Sequence, residues 1–245
     1  MKLYRVLTLV CIAALLAACT IVIGRNQTVG SGKVITEKRA VGEFTSLELS
    51  CSADVSLVQG DQLAVSIEGE DNILPLIETK VSGYMLIIDV KPNTSFRTTK
   101  PLTVHITAPV LTSIRVTGSG DVEMSKWMVD SLELIATGSG NIHLVSLETP
   151  SLTARLSGSG NISIEGGGGG SQAITTSGSG DYDTASMESR EVNATTSGSG
   201  DITVWVTRSL SASSSGSGDI RYYGSPKVTQ KTTGSGSVEK LGDKP

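Results

Sequence analysis

The tripeptide Gly-Ser-Gly begins at Gly118, Gly138, Gly158, Gly178, Gly198, Gly216 and Gly234, so its copies are separated by 20, 20, 20, 20, 18 and 18 residues. A period of that length marks a solenoid, because one such unit cannot cover its own apolar face while stacked units can. The residue that follows the tripeptide is Asp121, Asn141, Asn161, Asp181, Asp201, Asp219 and finally Ser237. On either side the apolar residues alternate, as in Leu132, Leu134 and Ala136 before and Ile142 and Leu144 after. Alternation with period two means strand. Each repeat thus reads as strand, glycine-rich bend, strand and corner, and Trp127, Leu147 and Met187 occupy equivalent corners that close a third side.

Stacking such units at about 4.8 Å gives an all-β parallel β-helix of 18–20 residues per coil. The right-handed form is expected, since left-handed hexapeptide helices take turns in multiples of about six residues and 20, the commonest spacing here, is not one. The stack predicts columns, with Ile142 over Val122, Ile162 over Ile142, and so on through Ile202 and Ile220. Two residues before the tripeptide stand Val116, Ala136, Leu156, Thr196 and Ser214, which shrink along the chain as a slender interior requires. Only two Phe, two Trp and five Tyr are present, too few for a wide core and sufficient for a narrow periodic one. The Gly-Ser-Gly segment is read as a bend in which Ser and Asp/Asn side chains satisfy nearby backbone N–H groups, a straight segment with inward glycines being the alternative. Asn141 and Asn161 among the aspartates limit repulsion between stacked like charges.

Regular repeats occupy residues 111–241, within a single domain of residues 33–241. Residues 33–110 are β-rich but irregular and are expected to form the first coils and cover the open end, where a bare edge would invite aggregation. They hold one degenerate repeat: Leu47-Glu48-Leu49-Ser50-Cys51-Ser52-Ala53-Asp54-Val55 aligns with Ile114-Arg115-Val116-Thr117-Gly118-Ser119-Gly120-Asp121-Val122, which makes Cys51 a small buried filler at a glycine position. Residues 72–78, with Pro75, predict a short helix or a loop. The glycines from 166 to 170 replace a corner and are expected to form a loose loop. Charges at Glu239, Lys240, Asp243 and Lys244, with Pro245, discourage further strand pairing at the far end.

Residues 1–18 read as a signal peptide, with Lys2 and Arg5 ahead of an apolar stretch at 6–16 that is short for a membrane span. They end in Leu16-Ala17-Ala18-Cys19, which resembles the bacterial lipobox at every position and predicts lipid attachment at Cys19, with residues 19–32 as a flexible tether. Thr20, rather than aspartate, follows the cysteine, so the outer membrane is expected in a two-membrane cell. Removal of Lys2 and Arg5 takes the formal charge from -4 to about -6, an acidic balance that gives no reason to expect nucleic acid.

The Gly-Ser-Gly-(Asp/Asn) repeats, together with Phe44-Thr45-Ser46-Leu47-Glu48-Leu49 and Asp71-Asn72-Ile73-Leu74-Pro75-Leu76-Ile77-Glu78, resemble the putative auto-transporter adhesin head GIN domain family. The resemblance covers most of residues 33–241 and implies a right-handed β-helix related in shape to pectin lyases, without recognised catalytic residues, acting in cell adhesion. The candidate interaction column is Ser119, Asp121, Ser139, Asn141, Ser159, Asn161, Ser179, Asp181, Ser199, Asp201, Ser217 and Asp219, with an envelope protein or a glycan as partner and no cofactor. The competing reading is a carbohydrate-active β-helix enzyme or a glycan-binding protein. An enzyme of this shape needs clustered acids and a basic partner on one wall, whereas Arg155 and Arg221 are scattered and the acids are interrupted by asparagines. Calcium needs six to eight oxygens, and one carboxylate per coil supplies too few. His105 and His143 fall on polar sides of strands, as surface residues rather than ligands.

Overall fold

The computed structural model describes residues 27–244. They form an all-β solenoid of about six turns, the parallel β-helix that the period demands. Val122 pairs with Ile142, Ile142 with Ile162, Ile162 with Tyr182, Tyr182 with Ile202, Ile202 with Ile220 and Ile220 with Val238, all in parallel. A second column runs before the bend, where Ile114 pairs with Leu134, Leu134 with Ala154, Ala154 with Ile174, Ile174 with Ala194 and Ala194 with Ala212. Because side chains alternate across a strand, each column points wholly inward, and these residues are buried from Ile114 to Ala212. Each large aliphatic side chain so buried contributes about 1.5–3 kcal/mol.

The narrowing column ends in hydroxyls, and their oxygens need partners. Thr196 Oγ1 donates to Gly200 O at 3.3 Å and Ser214 Oγ to Gly218 O at 3.1 Å, so these two hydroxyls bond across the bend of their own coils, while that of Thr176, one coil earlier in the same column, has no partner among the described residues.

The degenerate repeat takes the expected register, with Leu47 against Ile114 and Val55 against Val122. Its coil is not the outermost. Leu49 pairs on its other side with Ile88, and Asp54 with Thr103, so a later stretch of chain lies beneath an earlier one. Antiparallel strands close this end: Ala64–Glu70 runs against both Val34–Lys38 and Thr103–Ala108, and Ile77–Ser82 forms a hairpin with Met85–Val90. Leu74–Leu76 is a 3-10 turn with Pro75 at its start, and it drives the fully buried Leu74 into the core.

Two expectations are corrected. The glycines near 166–170 are not a loose loop, since Gly167–Thr176 is a strand paired with Ile142–Leu156 on one side and Tyr182–Thr196 on the other. Glycine is required there because a Cβ on Gly167, whose φ is +107, would lie 2.0 Å from Leu147 O. Nor do residues 27–32 belong to a flexible tether. Thr28–Val29 pairs with Phe96–Arg97, Asn72 Nδ2 donates to Val29 O at 2.8 Å, and the Gly32 N–H donates to Glu70 at 2.7 Å. Cys19 and the signal segment before it lie outside the described residues.

Candidate interaction surface

The chain bends at Gly118 and Ser119 and at every later copy of that pair. Within the bend the backbone of one coil doubles its donors on single carbonyls of the coil before it. Ser139 and Gly140 both donate to Gly118 O, at 3.1 and 3.2 Å, and Ser159 and Gly160 both donate to Gly138 O, at 3.1 and 3.3 Å. Such sharing draws the coils together until no side chain fits between them. A Cβ on Gly138 would stand 2.0 Å from Gly118 O, and one on Gly160 would stand 1.9 Å from Gly140 O. Cys51 and Ala53 are tolerated in the first bend because residues 89–102 detour outward beneath it where residues 50–53 bridge the coil above.

The next N–H has no carbonyl to use, and the Asp/Asn column supplies the acceptor. Asp121 Oδ1 accepts from Asn141 N at 2.8 Å, Asn141 Oδ1 from Asn161 N at 2.9 Å and Asn161 Oδ1 from Asp181 N at 2.8 Å. Asp181 and Asp201 continue to Asp201 N and Asp219 N at 2.8 Å each, and Asp219 ends the ladder on Ser237 N and Oγ at 2.8 and 3.0 Å. The carboxylates and amides therefore bond between coils, not locally as expected, and either residue type serves because only Oδ1 is needed. Arg221 closes the ladder, with its two terminal nitrogens each 2.7 Å from Asp201 and Asp219. The Ser237 amide and hydroxyl, followed by Arg221, hold the Asp219 carboxyl below its ordinary range.

The serines do something else. Ser119, Ser139, Ser159, Ser179, Ser199 and Ser217 are exposed, and none of their hydroxyls has a protein partner among the described residues. The residues before each tripeptide, from Thr117 and Thr137 through Ser157, Ser177, Ser197 and Ser215, are exposed as well. The twelve predicted column residues thus share one spine but divide by role, with Asp/Asn tying the coils and Ser facing solvent.

Sequence reasoning missed three features. On the strand after the bend, Ser163 Oγ lies 2.9 Å from His143 Nδ1, and His143 Nε2 lies 3.4 Å from Glu165. These residues are one coil apart, so the period itself could have paired them. The arrangement has the order of a hydrolytic triad without an oxyanion site, because the neighbouring N–H groups of Ile162 and Glu165 are engaged by Asp181 O and Leu144 O. On the third side, the glycine tract opens a groove of about 780 Å³ bordered by Met128, Glu148, Pro150 and Arg190. Beneath it Gln172 is buried, donating to Ser189 Oγ at 2.6 Å and accepting from Tyr182 Oη at 2.8 Å, while Met187 fills the space that the glycines vacate. Burial pushes the Tyr182 hydroxyl far above its ordinary range. No group of three or more His, Cys, Asp or Glu among the described residues is placed to hold a metal ion.

Comparison with solved structures finds the same fold repeatedly. A putative adhesin from Bacteroides fragilis is 28% identical, with a TM-score of 0.83 over 87% of this chain and 99% of that one. A putative lipid binding protein from Parabacteroides distasonis, 24% identical, has a TM-score of 0.72 over 88% of this chain and 99% of that one. A putative adhesin from Parabacteroides merdae, 21% identical, gives 0.71 over 88% and 99%. No curated protein matches the sequence. The model of one family spans residues 43–226, from the degenerate first coil past the bend at Gly216, and the chain belongs to that family, the putative auto-transporter adhesin head GIN domain.

Proposed function

We propose that this protein is a non-catalytic adhesion module of the bacterial envelope, lipid-anchored through Cys19 at the outer membrane, whose bend spine engages a glycan or a protein partner. Membership of an adhesin family supports an adhesive role at the surface or in the envelope. The observation that carries the reading is the division of labour along the spine. Gly, Asp and Asn are committed to holding coils together, while the hydroxyls of Ser139, Ser159, Ser179 and Ser199 stand exposed without protein partners. A rigid row of unpartnered donors and acceptors, one per coil about 4.8 Å apart, loses little entropy on binding a repeating polar ligand.

A carbohydrate-active enzyme is disfavoured because the acids of the column already accept backbone hydrogen bonds, and Arg221 binds two of them. The test replaces Ser139, Ser159, Ser179 and Ser199 together by alanine in the full chain. Since the hydroxyls touch nothing in the protein, each change should leave stability within about 0.5 kcal/mol. Cells carrying the variant at parental surface levels should adhere and form biofilm as poorly as a deletion strain. Adhesion equal to that of the parent would remove the spine from the function.

A further inference from the structure

The loop 91–101 leaves the solenoid between Met85–Val90 and Thr103–Ala108, on the layer beneath the first bend. It carries Lys91, Arg97 and Lys100 and no carboxylate, in a chain whose formal net charge is -4. All three are exposed, and none forms an ion pair among the described residues. Two acids beside the loop's support are occupied: Asp71 pairs with Lys33 at 3.3 Å, and Glu70, 1% exposed, accepts from the amides of Gly32 and Thr99 and from the Thr99 hydroxyl. Glu70 thereby ties this loop to the N-terminal segment, so the basic residues are presented on a fixed support.

The same loop receives the first described residues of the chain. Thr28 N donates to Ser95 O and Gly30 N to Arg97 O, both at 2.9 Å, and Gln27 Nε2 donates to Phe96 O at 3.0 Å. From Cys19 to Gln27 the chain reaches at most about 28 Å even when fully extended. An acyl group on Cys19 therefore holds this loop, rather than the bend spine's far end, close to the bilayer.

We propose that loop 91–101 is a docking surface for anionic phospholipid headgroups, which seats the capped end of the solenoid on the membrane and projects the later coils away from it. Lys91, Arg97 and Lys100 meet lipid phosphates, and the exposed Val29 beside them faces the interfacial zone. The acidic remainder of the domain is repelled by the same surface, so charge selects one orientation. This inference rests on the lipid-anchoring reading above.

The experiment uses the full chain, expressed with its signal and purified as the mature lipoprotein, with an environment-sensitive fluorophore on Pro92→Cys or, as a distal reference, on Ser217→Cys. Cys51 is buried and does not compete for label. In vesicles of phosphatidylcholine containing phosphatidylglycerol, the label at 92 should report headgroup contact and the label at 217 should report water. Contact at 92 should fade in pure phosphatidylcholine and at high salt. Each basic residue near an anionic surface shifts such an equilibrium about fivefold, so Lys91→Gln, Arg97→Gln and Lys100→Gln together should lower the equilibrium constant for headgroup contact on the order of a hundredfold. The triple variant stays vesicle-bound and keeps its melting transition, since all three side chains are solvent-facing. A label at 92 that is indifferent to phosphatidylglycerol, on protein whose Cys19 is shown by mass to be acylated, overturns the orientation alone. A Cys19 that carries no lipid overturns the anchoring and the orientation with it.

Discussion

Gly160→Ala tests how tightly the bends are stacked. The added Cβ would lie 1.9 Å from Gly140 O and 2.8 Å from Gly140 C, against 3.4 Å for the near edge of ordinary contact. Its neighbour is backbone and cannot swing aside, so the fourth bend must lift by more than an ångström. Lifting strains three bonds to the coils before it, from Ser159 N and Gly160 N to Gly138 O at 3.1 and 3.3 Å and from Asn161 N to Asn141 Oδ1 at 2.9 Å. At about 0.5–1.5 kcal/mol each these contribute roughly 1.5–4.5 kcal/mol, and overpacking adds about 1–3 kcal/mol. The expected loss of about 2.5–7.5 kcal/mol is a large part of the 5–15 kcal/mol typical of a domain. Urea denaturation followed by circular dichroism measures it through the transition midpoint. The matched control is Ala53→Gly, at the equivalent place in the first bend, where the detour leaves room for a methyl group; it should cost about 1 kcal/mol or less. If Gly160→Ala stays within about 1 kcal/mol of the parent, or Ala53→Gly is the more damaging of the two, the close-approach argument fails.

The ladder makes a sharper chemical distinction. Asp181→Asn keeps an Oδ1 acceptor for Asp201 N and should leave the urea midpoint nearly unchanged, whereas Asp181→Ala removes it and should cost about 1 kcal/mol. At the capped end, the Thr99 hydroxyl, together with the Thr99 and Gly32 amides, holds the Glu70 carboxyl below its ordinary value. A depressed folded-state value means that this tie is complete above the ordinary glutamate pKa of about 4.3 and is lost as pH falls through the folded value. Amide protection over residues 28–33, taken relative to the intrinsic exchange rate at each pH, should therefore fall on acidification, and Glu70→Gln should make it low and nearly independent of pH in that range. Unchanged exchange in the variant would show that Glu70 does not hold the segment.

Much of the stack was legible because a period of 20 aligns residues without any knowledge of contacts. Ile142, Ile162 and Ile202 share a column, and even the distant Leu47 to Ile114 match followed from the pattern of the bend. The direction of the Asp/Asn bonds was not legible, because composition shows which side chains like bends and not which of two neighbouring backbones lacks an acceptor. The glycines after Glu165 misled for a related reason. Glycine reads as looseness, yet here it marks carbonyls such as Leu147 O pressed close to the strand. The capped end was hidden because antiparallel pairings such as Val34 with Glu70 carry no repeat, and because the chain threads Met85–Val90 beneath a coil made earlier. His143, Ser163 and Glu165 come together through the period, but only their outward direction, shared across two coils, makes the cluster visible.

All of these claims depend on which coil lies against which, and a paired-cysteine experiment reads that directly. Ser139 and Ser159 stand on the same row one coil apart, so in Ser139→Cys/Ser159→Cys the α-carbons are separated by about 4.8 Å, inside the range a disulfide can bridge. In Ser139→Cys/Ser179→Cys the separation doubles to about 9.6 Å, beyond it. Mild oxidation of the folded protein should crosslink the first pair within one molecule and leave the second as free thiols; efficient bridging of the second pair, or none in the first, would contradict the stacked register.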